Sequence, residues 1–116
     1  MEIIVSQHHN CDRIEITGRI DSLTIPHFET VLKVLLNDDH YNIIVDLLNV
    51  NFISSSGMLN FVKHQHEFIR QNKGEIIFLH VPELIFKSFE MAGFNTIFKF
   101  FQDFDSAKIY FSRSVK

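Results

Sequence analysis

The sequence predicts an α/β domain built on a mixed β-sheet of four to five strands with about four helices, in the order ββαβαβαβα. Three observations carry this. Residues 43–47 and 75–79 are largely apolar runs without alternation, as expected of strands covered on both faces. Phe28, Val31, Leu32, Leu35 and Leu36 recur at i, i+3, i+4, i+7 and i+8, an apolar stripe on one side of a helix. Strand and helix patterns then alternate, and strands separated by helices need crossover connections, so most of the sheet is expected to be parallel.

Each element has its own signal. Residues 3–7 read as a short strand, His8 to Asp12 as turn material, and residues 13–17 as a strand alternating polar and apolar. Together they suggest an opening antiparallel hairpin. Residues 18–24 lead into the first helix. Thr24 is the expected N-cap, and Pro26 is tolerated in the first turn because its missing N–H has no intrahelical partner there. Asn37 to His40 end that helix.

The run at 43–47 is expected to pass through a turn punctuated by Asn49 and Asn51 into Ser54, Ser55 and Ser56, where the second helix opens. That helix continues through Leu59, Val62 and Ile69 to Asn72, Lys73 and Gly74, with Gly74 as a left-handed stop. Residues 75–79 form a buried strand. Pro82 precedes a third helix over 83–92, closed by Gly93. Residues 96–100 are expected as a short edge strand and 103–111 as a final helix.

The 116 residues fit one domain, 1–116, without linkers or repeats. A net charge of -3 and the lack of any Lys/Arg cluster argue against a nucleic-acid binder. The lone Cys11 fits a reducing compartment. The N-terminus lacks a signal-peptide pattern, and no apolar run approaches the roughly 18 residues of a spanning helix. A cytoplasmic location without membrane insertion is expected. Seven of the 13 Phe lie between Phe86 and Phe104. They are expected to fill the core; exposed members would instead offer a face for a partner or a homodimer.

Candidate chemistry narrows quickly. Adjacent His8 and His9 would face opposite ways on a strand, and His64 and His66 lie about 200° apart on a helix. With no metal-ligand spacing present, no metal is expected. A serine hydrolase needs Gly-x-Ser-x-Gly, whereas Ile53-Ser54-Ser55-Ser56-Gly57 lacks the first glycine; acids and histidines do follow in the chain. No phosphate-cradling glycine loop occurs, and no cofactor is implied. The serine triplet remains. One serine suffices to cap a helix. Three in a row also suggest an exposed hydroxyl at a helix N-terminus, where added phosphate is tolerated by unpaired N–H groups and the helix dipole.

The chain resembles the STAS domains, the family of sulfate transporter and anti-sigma factor antagonist domains. The resemblance is carried by Gly18-Arg19-Ile20-Asp21 running into Thr24 and a helix, and by Ile43-Ile44-Val45-Asp46-Leu47 with Val50. Phe52-Ile53-Ser54-Ser55-Ser56-Gly57-Met58, the segment from Phe89 to Phe94, and Ala107 complete it. It implies a STAS-like fold and a non-enzymatic anti-sigma factor antagonist. Such a protein binds an anti-sigma factor with serine kinase activity, is released by phosphorylation, and is reset by a serine phosphatase.

Carried over, the phosphoacceptor is Ser56, with Ser55 the second choice. Asp21, Ser22, Ser54, Ser55, Ser56, Gly57 and Met58 form the implied partner-binding set. Many phosphorylated members carry Asp two residues before the acceptor; here that residue is Ser54. The alternatives are a STAS subunit docked constitutively on a stress-signalling complex or a lipid-transport ATPase, and, among enzymes, a small serine hydrolase.

Overall fold

The computed structural model describes residues 1–114 and has the expected alternation. The elements are β1 (Glu2–Gln7), β2 (Asp12–Ile20), α1 (Ile25–Asn37), β3 (Asn42–Ile53), α2 (Ser55–Arg70), β4 (Glu75–Leu79), α3 (Glu83–Ala92), β5 (Phe100–Phe101) and α4 (Phe104–Ser114). They build one five-stranded sheet in the order β1-β2-β3-β4-β5. The β1–β2 pair is antiparallel and the other three pairs are parallel.

The two sheet faces carry different loads. Ile14, Ile16, Val45, Leu47, Ile76 and Phe78 bury themselves with Phe28 and Leu32 of α1, Phe61 and Phe68 of α2, and Ile85 and Phe89 of α3. On the opposite face Ile44, Ile77 and Leu79 meet Ala107 and Phe111 of α4. Phe78 anchors the aromatic part of the larger core. Its ring centroid lies 5.1 Å from Phe61, 5.2 Å from Phe89 and 4.8 Å from Phe98, and such pairs add about 0.5–1.5 kcal/mol each beyond area burial. Of the seven Phe between 86 and 104, Phe89 and Phe98 are buried and the other five half-buried. The core-filling expectation describes them.

The elements depart from the expectations in five places, each for a local reason. First, β3 does not turn at Asn49 and Asn51 but runs unbroken to Ile53. Its register against β2 slips between Glu15 and Thr17 and between Gly18 and Arg19, each time with an additional residue on β3. These bulges turn the burial rhythm into Leu47, Val50, Ile53, every third residue, which period-two reading does not recognise.

Second, β2 runs on with it to Ile20, through Gly18 at φ +104. Third, Thr24 occupies the N-cap position of α1 but makes no capping bond; its Oγ1 donates to Arg19 O at 2.9 Å. Fourth, the left-handed residue after α2 is Asn72 (φ +53), not Gly74. Gly74 is needed for a different reason, since a Cβ there would lie 2.2 Å from Tyr41 O. Fifth, the last strand is Phe100–Phe101 and not 96–100, and the final helix opens at Phe104, with Asp103 accepting from Ser106 N at 2.8 Å. Gly93 does close α3, at φ +79.

Gln65 completes the sheet where β5 is too short to do so. Its side chain is buried in α2, its Oε1 accepts from Ile76 N at 2.7 Å, and its Nε2 donates to Ile76 O at 3.1 Å and Ile97 O at 3.3 Å. Leucine at this position keeps the volume but strands the Ile76 backbone, and buried groups left without partners cost about 1–3 kcal/mol each. Gln65→Leu is therefore expected to lower stability in urea unfolding by about 2 kcal/mol or more. An unchanged midpoint contradicts the role of Gln65 as a substitute strand.

Candidate functional site

The ends of β2 and β3 create the site. The two strands remain paired to their last residues, Ile20 opposite Ile53. Ser54 N donates to Ile20 O at 2.9 Å immediately beyond that pair. Gly57 then packs on the same residue: a Cβ at 57 would stand 2.9 Å from Ile20 O and 2.9 Å from Ile20 Cγ2. The first turn of α2 is thus seated on the last residue of β2, and only glycine fits the seat. The 21–24 turn, which follows Ile20 directly, is brought alongside the 54–57 turn by this contact.

Within the triplet the three serines have different tasks. Ser54 is the N-cap of α2, in extended conformation, and its Oγ accepts from Gly57 N at 3.1 Å. Ser54 Oγ also lies 3.0 Å from Ser56 Oγ. Ser55 and Ser56 are exposed, and Ser55 Oγ has no partner among the described residues. The N–H groups of Ser55 and Ser56 likewise find none there, and the first turn carries no acidic residue. This leaves a helix end with positive dipole, free donors and two accessible hydroxyls.

Asp21 organises the neighbouring turn. Its Oδ1 accepts from Leu23 N at 3.0 Å and Thr24 N at 3.1 Å, and its Oδ2 accepts from Arg19 Nε at 3.3 Å. Desolvation pushes its pKa up, but the backbone bonds from Thr24 and Leu23 and those from the Arg19 and Thr24 side chains outweigh it. The carboxyl is held below the ordinary aspartate value. Asp21 is therefore a fixed anion at the site. Ser22 is exposed beside it.

Of the implied partner-binding residues, Asp21, Ser22, Ser54, Ser55 and Ser56 present polar surface along the joined turns. Gly57 and Met58 are buried and act as the seat beneath them. Three residues missing from the implied set belong to the same surface. The Arg19 guanidinium lies over the Phe52 ring at 4.2 Å while also bonding Asp21, and Leu23 projects with 88 % of its surface exposed. Arg19 and Asp21 at i, i+2 were a readable ion pair; Phe52 was masked by the bulge before it. None of the histidines is hydrogen-bonded to the triplet among the described residues: His40 pairs with Asp12, His64 with Glu29 and His80 with Asp46.

The unequal roles of the serines are measurable without any partner. Ser54→Ala removes the cap and is expected to cost about 1 kcal/mol in urea unfolding. Ser56→Ala removes an exposed hydroxyl whose one hydrogen-bond contact is Ser54 Oγ, leaves the Ser54–Gly57 cap in place, and should stay within about 0.5 kcal/mol of the parent. Equal losses would mean that both hydroxyls serve the helix.

Comparison with known proteins finds relatives in sequence and in fold. The anti-sigma-B factor antagonist of Staphylococcus aureus is 31% identical over 84 residues, covering 72% of this chain and 77% of that protein. An anti-sigma factor antagonist from Mycobacterium paratuberculosis superposes with TM-score 0.77 at 18% identity, covering 96% of this chain and 93% of the other. The phosphorylated form of the Bacillus cell fate determinant SpoIIAA superposes with TM-score 0.70 at 14% identity, covering 94% and 98%. These two structures share the fold. The STAS domain family model matches residues 2–107. The family-model match over nearly the whole chain and the relative at 31% identity lead to one conclusion: the chain belongs to the STAS domain family.

Proposed function

We propose that the chain is an anti-sigma factor antagonist that regulates sigma-factor-dependent transcription through a phosphorylation switch at Ser56. The observation that carries the proposal is the exposed Ser56 hydroxyl on the first turn of α2, beside unpaired N–H groups and above a seat that does not depend on it. Support comes from the antagonist relative at 31% identity and from SpoIIAA, whose structure is known in both unphosphorylated and phosphorylated forms.

In this reading the unmodified surface around Asp21, Ser22 and the triplet binds an anti-sigma factor that is also a serine kinase, and so frees the sigma factor. The kinase transfers the γ-phosphoryl group of ATP to Ser56 Oγ: an O–P bond forms, the bond to the ADP leaving group breaks, and the hydroxyl proton is lost. Phosphate adds nearly two negative charges. The fold accommodates them because the helix end supplies donors and a favourable dipole. The interface does not, since a dianion in closely packed contact loses its hydration, and its repulsion from the Asp21 carboxylate is then no longer screened by water. Hydrolysis by a serine phosphatase returns the hydroxyl and releases inorganic phosphate. This chain contributes acceptor and surface and no catalytic group. Ser55, also exposed, is the second-choice acceptor.

The test is capture from native lysate with wild type, Ser56→Ala and Ser56→Asp, each first checked for an unchanged thermal unfolding midpoint. Wild type and Ser56→Ala are expected to capture a small ATP-binding kinase. Ser56→Asp should bind it at least tenfold more weakly, a difference of about 1.4 kcal/mol. Equal capture by all three would instead make Ser56 part of a constitutive docking surface.

A further inference from the structure

The C-terminal ends of β4 and β5 border a second feature, built by residues other than the serine triplet. Leu48, Val81, Pro82, Phe86, Phe100 and Phe101 wall an open groove of about 650 Å³. Its volume and mostly apolar lining suit a small molecule, and it lies where open α/β sheets bind ligands, beyond the carboxyl ends of the strands.

Three polar residues, His80, Glu83 and Gln102, complete its lining, and the His80 side chain is part-exposed there. His80, the first residue after β4, lines the groove and adopts φ +55, a left-handed conformation that a non-glycine residue holds only when its surroundings impose it. Two contacts impose it here. His80 N donates to Phe101 O at 3.0 Å, and Nδ1 lies 3.2 Å and 3.3 Å from the two carboxylate oxygens of Asp46. Asp46 is 3 % exposed and is itself fixed, accepting from Arg13 Nη2 at 2.6 Å and from Leu48 N at 3.0 Å. A carboxylate bonded in this way only accepts, so Nδ1 carries a proton. Nε2 is left without a hydrogen-bond partner among the described residues. The acids nearby are occupied: Glu83 at the rim pairs with Lys87 at 3.4 Å, and Asp103 accepts from both Ser106 N and Ser106 Oγ.

We propose that this groove binds a small monocarboxylic acid with an apolar body, its carboxyl group on His80 Nε2. The chemistry selects that class. A neutral imidazole accepts the acid's O–H at Nε2; after proton transfer, Nε2–H donates to the carboxylate. One proton is shared by the pair in either form, so a carboxylic acid satisfies the ring in both, while the hydrocarbon part covers Phe86, Phe100 and Phe101. A neutral amide of the same shape offers an N–H to the neutral ring but cannot bring a charge to the protonated one.

The test is a titration of the full chain, followed through its backbone amide NMR signals, with octanoate and 4-phenylbutyrate and with the two corresponding primary amides. At least one acid should give saturable shifts centred on His80, Val81, Phe86 and residues 100–102, and its amide should bind at least tenfold more weakly. Leu48→Glu, which places a charge on an exposed groove residue, and His80→Asn, which tolerates positive φ but does not reach as far, should each weaken the acid at least tenfold. Met91→Glu, at an exposed position of α3 that does not line the groove, should leave it unchanged. Absence of saturable shifts with both acids, equal binding of acid and amide, shifts centred on the serine turn, or indifference to either Leu48→Glu or His80→Asn overturns the proposal. The serine switch stands or falls separately, because none of these substitutions touches it.

Discussion

The carbonyl group of Ile20 is the contact on which the site depends. It accepts the Ser54 N–H and forms part of the surface on which Gly57 rests, with no room for a Cβ between them. The cap made by Ser54, the exposure of Ser55 and Ser56, and the proximity of the Asp21 turn all follow from that seating. A helix that began one residue earlier or later would lose the glycine from the contact. Three successive serines are thereby divided into one that holds the helix and two that face solvent.

Under the proposed function, the same contact lets a charge be added at little cost to the fold. The core beneath is closed by Met58 and Phe61 on the helix and by Ile20 and Ile53 on the strands, while Ser56 is exposed. The helix terminus supplies what an anion needs, while the Asp21 carboxylate, fixed by two backbone N–H groups and Arg19, keeps a neighbouring charge that does not yield. In the proposed switch, fold and interface respond oppositely to phosphate, and a switch needs that difference.

Much of this was legible in the sequence because period and punctuation are local. The stripe from Phe28 to Leu36, the unbroken run at 43–47 and Gly93 after a helical segment each state their structure within a few residues, and the structure agrees at each. What could not be read depends on partners distant in the chain. The bulges in β3 exist only against β2, so the continuation to Ile53 looked like a turn rich in asparagine. Gly74 looked like a helix stop because its true neighbour, Tyr41, lies 33 positions earlier in the chain. Phe52 joined the site surface for the same reason: its exposure is a product of the β2–β3 register and not of its own spacing. His80 gave no signal at all, since a left-handed histidine held by a buried Asp46 has no sequence signature.

The central claim is that phosphate on Ser56 changes the surface and leaves the fold intact. It is tested most directly by mapping the phosphate by tandem mass spectrometry after incubation with the captured kinase and ATP, then comparing amide NMR spectra of the modified and unmodified chain. The account predicts one phosphate on Ser56, with shifts confined to residues 19–24 and 52–60. A phosphate on another residue, or shifts spreading through Ile43–Leu47 and Ile76–Leu79 of the central strands, would contradict it.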